Sequence, residues 1–476
     1  MLESLEAALY PIVVNINTYL SSYILVFLLI GVGLFYSIRT RFVQVRCFGE
    51  GMRKVFGNLT LRGGKQEHGM SSFQALATAI AAQVGTGNIV GGSGAILAGG
   101  PGAIFWMWLI AFLGMSTNYA EAVLAQKTRT VDADGSVHGG PVYYIRSAFK
   151  GAGGKFLAGF FSVAIILALG FMGSMVQSNS IASTVNTAFG IPTWAIGALI
   201  VLVAGFILIG GIQRIASVTE KLVPVMAVIY LVGGLVALIM NAHEILPAIG
   251  LIFECAFNPD ASIGGVTFGI IAALSQGAKR GLFSNEAGMG STPHAHAMAN
   301  VKDPHDQGVT AMVGVFVDTF VVVTMTALVV ISALYVGDGA LTVDATGLAA
   351  GINKTNMAQY AFSEFFGTGF GNAFVAICLL FFAFSTILSW NLFARLNVEY
   401  LFGKKGVMPF FVIALAFIFL GSLLSNDLVW ELADMFNQLM VLPNAIALIA
   451  LSGTVAACVN GRKSKSLAEI HAEDEE

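Results

Sequence analysis

Eleven long apolar stretches govern what this chain can fold into: 17–37, 71–97, 102–125, 157–185, 193–212, 218–240, 263–292, 307–336, 371–396, 407–425 and 428–457. Each approaches or exceeds the ~20 residues a helix needs to cross the hydrocarbon core of a bilayer. A closed β-barrel would instead show alternation in segments of about ten residues, and that pattern is missing. Only 11% of the 476 residues carry charge, less than half of the ~25% that coats soluble domains. A soluble multidomain enzyme and a disordered chain are thereby excluded. A net charge of −3 gives no basic footprint for nucleic acid. The reading is an all-α polytopic membrane protein embedded in a lipid bilayer. Its cysteines, Cys47, Cys255, Cys378 and Cys458, are far apart and show neither a disulfide framework nor metal spacing.

Orientation follows the basic residues. Assigned by segment, all but Lys354 of the 24 lysines and arginines fall on one side. They cluster at 38–70 and 126–156, continue through Arg214, Lys221, Lys279, Arg280, Lys302, Arg395, Lys404 and Lys405, and end in the tail with Arg462, Lys463 and Lys465. That side is expected to be cytoplasmic, with the N-terminus outside and the C-terminus inside a plasma (inner) membrane. Glu3 and Glu6 precede the first span without any basic residue, so that span is expected to stay rather than be cleaved as a signal peptide. Segment 41–58 alternates basic and apolar residues, as suits either a helix lying on the membrane face or a plain connecting loop. The long outer segments 241–262 and 337–370 read as surface helices or lids.

Two spans look broken. In 71–97, Gly85, Gly87, Gly91, Gly92 and Gly94 crowd together with Gln83, Thr86 and Asn88, about 18 Å of helix from Ser71. In 263–292, Ser275, Gln276, Gly277, Lys279, Arg280 and Gly281 interrupt the apolar run at similar depth. Close packing between helices explains the glycines alone; the polar side chains need a cavity or partners. Setting the first span aside, the breaks fall in the first member of each group of five. An odd number of spans per group makes the two groups inverted repeats, the arrangement that marks a transporter site. The parts are then an N-terminal helix and linker (1–70), a first repeat (71–240), an outer connection (241–262), a second repeat (263–457) and an inner tail (458–476). Unwound helix ends offer N–H groups to a carboxylate and carbonyls to an ammonium group or Na⁺. Gly85-Thr86-Gly87 is not a nucleotide loop, since no strand and no downstream acid accompany it.

The stretches AAQVGTGNIVG (81–91), AGGPGAIFWMW (98–108), HGGPVYYI (138–145), EKLVPVMAVIY (220–230), RGLFSNEAGMGS (280–291) and FFAFSTILSW (381–390) resemble the alanine/glycine:cation symporter family in order along the whole chain. That resemblance implies a LeuT-type 5+5 inverted repeat preceded by one extra helix. It also implies Na⁺-driven uptake, or H⁺-driven uptake in some members, of a small neutral amino acid. Alanine and glycine are the chief substrates, and some relatives take glutamine or serine.

Carried onto this sequence, the resemblance gives Gly85, Thr86, Gly87 and Asn88 the substrate carboxylate. Gln83 and Gln177 would orient the substrate, although Gln177 is equally suited to bonding across helices. Ser275 and Gln276 would face the ammonium group. Ser385 and Thr386, with carbonyls near Val84 and Gly87, would form the Na⁺ site. Trp390, on the same face as Thr386, would border the pocket or sit in an interfacial belt. Lys221, which a proton-coupled relative would use in place of Na⁺, lies where it can snorkel to water. Lys279, Arg280, Glu286, Glu121 and Asp318 are assigned to the inner half, where they need partners and are candidates for a cytoplasmic gate. His294, His296 and His305 read as loop surface. A channel would want a symmetric pore, an intramembrane enzyme an evident nucleophile and base, and an ATP-driven pump a P-loop. None is present, and secondary active symport by alternating access is the expectation.

Overall fold

The computed structural model of the chain describes residues 2–57, 69–133, 135–258, 261–424 and 426–459. Arg62, Lys65 and the tail residues Arg462, Lys463 and Lys465 lie outside the described residues. In chain order, α1 (Ala8–Arg39) leads to the short α2 (Phe48–Phe56). The first broken segment follows as α3 (Ser72–Gln83) and α4 (Gly92–Gly99). Then come α5 (Ala103–Thr128), α6 (Gly151–Phe189), α7 (Thr193–Ile209), α8 (Gly211–Met240) and α9 (Ala242–Phe257). The second broken segment is α10 (Ile270–Asn285) and α11 (Pro293–Met298). The chain continues through α12 (Pro304–Leu334), α13 (Met357–Phe366), α14 (Thr368–Phe402), α15 (Val407–Gly421), α16 (Asn426–Ala450) and α17 (Ser452–Val459).

Among the described residues, eight helices are long and apolar enough to cross a membrane by length and composition: α1, α5, α6, α8, α12, α14, α15 with the turn before it, and α16. The rest of the apolar sequence forms the 17-residue α7 and the two broken segments. Segment 41–57 is largely helical, with Val43–Arg46 preceding α2, and segments 241–258 and 337–370 contribute α9 and α13. Among the described residues, strands are confined to two short antiparallel hairpins, Thr130–Val131 with Val137–His138 and Ala261–Ile263 with Val266–Phe268.

Local chemistry sets where the broken segments begin and end. Ser71 opens α3 with a reciprocal cap: its hydroxyl accepts from the Gln74 N–H and its own N–H donates to Gln74 Oε1, both at 3.1 Å, which satisfies otherwise orphaned donors. At the other end of α3, Val84 turns to an extended conformation (ψ 91°). The Gly85 N–H then bonds to Asn88 Oδ1 at 2.8 Å, so a side chain replaces the missing helical carbonyl.

The second break lies elsewhere than expected. The helix runs unbroken through Ser275, Gln276, Lys279 and Arg280. Lysine, arginine, glutamine and alanine favour helix, and Gly277 is a packing glycine: a Cβ there would lie 2.6 Å from Trp106 Cβ. The chain leaves the helix only at Glu286 (φ 58°), followed by Gly288 and Gly290 in the left-handed region.

Candidate functional site

The two breaks face one another across the centre of the bundle. Gly87 abuts Ser284, where a Cβ would meet the Ser284 Cα at 2.9 Å. Gln177, from α6, accepts the Thr86 N–H at 3.1 Å and the Thr86 hydroxyl at 2.6 Å through Oε1. Its Nε2 is buried without a hydrogen-bond partner, as is Gln83 Oε1. Gln83 Nε2 donates to the Asn285 carbonyl at 2.8 Å and ties the first broken segment to the second. Asn88 reaches α12, where its Nδ2 donates to Asp318 Oδ1 at 2.5 Å. The same carboxylate accepts from Ser284 (3.0 Å) and from Thr319 (2.8 Å). Asp318 sits in a π-helical stretch, Val317–Val323, a wide turn of the kind that often marks functional sites.

Ser385 and Thr386 project from α14 onto the C-terminal end of α3. Thr386 Oγ1 donates to the Ala81 carbonyl at 2.8 Å and lies 3.5 Å from those of Ala82 and Val84 and 3.1 Å from that of Phe382. Ser385 Oγ is 3.5 Å from the Ala81 carbonyl and 2.8 Å from that of Phe382. These neutral oxygens meet at the negative end of a helix dipole, a setting that suits a small hard cation. The Val84 carbonyl lies 3.5 Å from Thr386 Oγ1. Ala81 and Phe382 take the place expected for Gly87, which faces Ser284 and Phe283 instead.

Trp390 is buried and is not an interfacial belt residue. Its indole N–H donates to Glu286 Oε1, and its ring meets Phe283 edge-on at 5.7 Å between centroids. Glu286 also accepts from Ser291. Ser275 and Gln276 are half-buried on the unbroken α10, so their carbonyls are not freed by any break and they do not join this site.

The charges divide differently from the expectation. Lys279 and Arg280 precede the second break on α10 and face α16. Lys279 Nζ is 3.0 Å from Asp434 and 3.2 Å from Glu431. Arg280 spans both oxygens of Asp434 at 3.2 and 3.0 Å and lies 4.6 Å over the Trp430 ring. Lys354 pairs with Asp427 at 2.7 Å. Exposure along α16 falls from 67% at Asp427 to 19% at Glu431 and 2% at Asp434, so the network leads from an exposed end of α16 into the bundle.

Glu121 has a separate task. From α5 it accepts the Gly288 and Gly290 N–H groups at 3.1 and 3.0 Å and Asn444 Nδ2 at 2.6 Å, capping the second break. Lys221 is exposed, in keeping with snorkelling. His294 and His296 are buried rather than surface residues: His294 bonds to the Ser291 carbonyl and Asn397, both at 2.8 Å, and His296 to Gln307 at 2.7 Å.

The sequence profile of the sodium:alanine symporter family matches residues 6–474. The chain belongs to that family. The symporter-family chain is 40% identical to the sodium/alanine symporter AgcS of Methanococcus maripaludis over 93% of its own length and 95% of the relative's. It is 37% identical to the amino-acid carrier protein AlsT of Bacillus subtilis over 90% and 87%. In fold it is similar to MhsT, solved in complex with L-phenylalanine. That match has a TM-score of 0.57 and 14% identity, covering 82% of this chain and all of that one. Family membership and the LeuT-type fold make the chain a transporter and not an enzyme.

Reading the sequence of this family member misses Glu431, Asp434 and Asn444, which stand in α16 far from their partners. Asn17 of α1 is a further case: its Nδ2 donates to the Glu431 carbonyl at 2.7 Å and to the Glu431 carboxylate. The only signal for these residues was polarity within an apolar span.

Proposed function

We propose that this chain is a secondary active symporter that couples inward Na⁺ movement to uptake of a small neutral amino acid by alternating access. The observation that carries the reading is the set of oxygens from Ala81, Val84, Phe382, Ser385 and Thr386 at the end of α3. Two residues on, the Thr86 N–H is held by the Gln177 side chain. Na⁺ at the first group and a substrate carboxylate at the second would hold the same break from its two electrical ends.

In this reading the carboxylate takes the backbone N–H groups around Gly85, Thr86, Gly87 and Asn88, and Gln177 turns its Nε2 to it. Gln83 fixes the facing break. The ammonium group meets freed carbonyls of the second break beside Glu286, and Trp390 and Phe283 close the pocket. The Cβ that Gly85 lacks would fall 3.2 Å from Gln177 Oε1. Close packing of this kind around the break is consistent with a small substrate such as alanine or glycine. The Lys279, Arg280, Glu431 and Asp434 network serves as an outer gate, and the broken helices and α7 bring the membrane crossings to eleven, N-terminus outside. AgcS, named for sodium and alanine, supports the same assignment. Lys221 is set aside as a proton-coupling residue because its side chain is exposed and can snorkel to water.

The deciding experiment is uptake of labelled alanine into proteoliposomes under an imposed Na⁺ or H⁺ gradient, with glycine, serine and glutamine as competitors. Uptake should follow the Na⁺ gradient. Uptake indifferent to both gradients would exclude symport, and a response to H⁺ alone would exclude the Na⁺ assignment.

A further inference from the structure

The chain brings Cys47, Glu50 and His305 together although 255 residues separate Glu50 from His305. Cys47 immediately precedes α2, Glu50 lies in its first turn, and His305 lies in the first turn of α12. One donor atom from each falls within 4.8 Å of the others. His305 Nε2 is 3.4 Å from Glu50 Oε2, whereas Nδ1 is engaged by the buried Tyr119 hydroxyl at 2.6 Å. This is the arrangement in which a metal-binding imidazole is oriented through its other nitrogen.

We propose that Cys47, Glu50 and His305 form a binding site for a transition-metal dication of the Zn²⁺ class, apart from the transport site. The donor chemistry selects the ion: a thiol and an imidazole favour Zn²⁺ or Co²⁺ over Mg²⁺, Ca²⁺ or Na⁺. Ligand atoms about 2.0–2.3 Å from a tetrahedral ion stand roughly 3.4–3.8 Å apart. The His305–Glu50 pair already matches this, and the sulfur, within 4.8 Å of both, needs to move in by at most roughly 1–1.5 Å. The thiolate formed on binding lies at the N-terminus of α2, where the helix dipole favours negative charge. Lys54 competes only in part. It is held by Asp306 at 2.7 Å and approaches the other Glu50 oxygen at 3.7 Å, leaving Oε2 to the ion. Three protein ligands leave a fourth position for water. A bound ion would pin α2 to α12, the helix that carries Asp318 deeper in the membrane.

The test is Co²⁺ titration of the purified full-length chain, carrying no polyhistidine tag and stripped with chelator, followed by its absorption spectrum. Expected are one Co²⁺ per chain, a thiolate-to-cobalt charge-transfer band, and displacement by Zn²⁺. Cys47→Ser should lose the band. His305→Gln should weaken binding roughly a hundredfold and Tyr119→Phe about tenfold, the latter because the imidazole loses its orienting partner. Cys458 reaches the Tyr119 hydroxyl from α17 and is the internal control: Cys458→Ser should keep the band. Sodium-driven alanine uptake by each variant reports that it is folded. No thiolate band in the transport-competent native chain, or a band that persists in Cys47→Ser, overturns the proposal.

Discussion

Replacing Thr386 by valine removes one hydroxyl while nearly preserving shape, and its effect can be worked from the site. The hydroxyl has the Ala81 carbonyl at 2.8 Å and that of Phe382 at 3.1 Å. A neutral hydrogen bond of this kind contributes only about 1 kcal/mol to folding, whereas a contact to a charged group contributes about 1.5–3 kcal/mol. If the hydroxyl ligates Na⁺, its loss should raise the Na⁺ concentration for half-maximal uptake roughly ten- to a hundredfold, with little change in thermal stability. Thr386→Ser keeps the oxygen and should stay near the native value. Ser385→Ala removes an oxygen 3.5 Å from the Ala81 carbonyl and should shift the curve less. The assay is initial-rate alanine uptake in proteoliposomes over a series of external Na⁺ concentrations, with protein content matched. An unchanged Na⁺ midpoint in Thr386→Val, with only the maximal rate lowered, would refute the ligand role. An equal loss in Thr386→Ser would point to packing.

Gly85→Ala should abolish uptake without preventing membrane insertion, because the new Cβ would fall 2.3 Å from Thr386 Oγ1; membrane fractionation beside transport checks it. Trp390→Phe removes the donor to Glu286 and leaves that buried acceptor short of a partner, a cost of about 1–3 kcal/mol. Turnover should fall several-fold and the melting temperature should drop. Asp434→Asn leaves Lys279 with Glu431 and takes from Arg280 the carboxylate it spans, and removing one partner of a buried ion pair is strongly destabilising. The variant should melt earlier and expose a cysteine introduced beside Trp430 to a membrane-impermeant thiol reagent from outside; unchanged labelling would count against an outer gate.

How far the sequence could be read depends on the range of each interaction. The first break was legible because Gly85, Thr86, Gly87 and Asn88 are polar or small, adjacent, and set in an otherwise apolar stretch. The second is harder to place, because polar residues in an apolar span imitate a discontinuity. Lys279 and Arg280 are good helix formers that need partners, and those partners stand more than 150 residues away on α16. The true break carried a local sign, Glu286 followed by Gly288 and Gly290, in which glycine supplies backbone angles that other residues rarely adopt. Ser385 and Thr386 could be picked out by resemblance, but the carbonyl set could not, since it depends on how α14 lies against α3. The meeting of Cys47 with His305 leaves no trace in spacing.

The carboxylate of Glu121, clasping the Gly288 and Gly290 amides, has a mechanical consequence. Those bonds join α5 to the turn between α10 and α11, so swinging the turn away from α5 would leave buried acceptors and amides unpaired, at about 1–3 kcal/mol each. Alternating access would therefore proceed with α5 and this turn travelling as one rigid piece, and the hinges would lie elsewhere. Spin labels on α5 and α11 should keep a fixed separation through the transport cycle, while a label on α5 paired with one on α14 is where a changing distance would be sought.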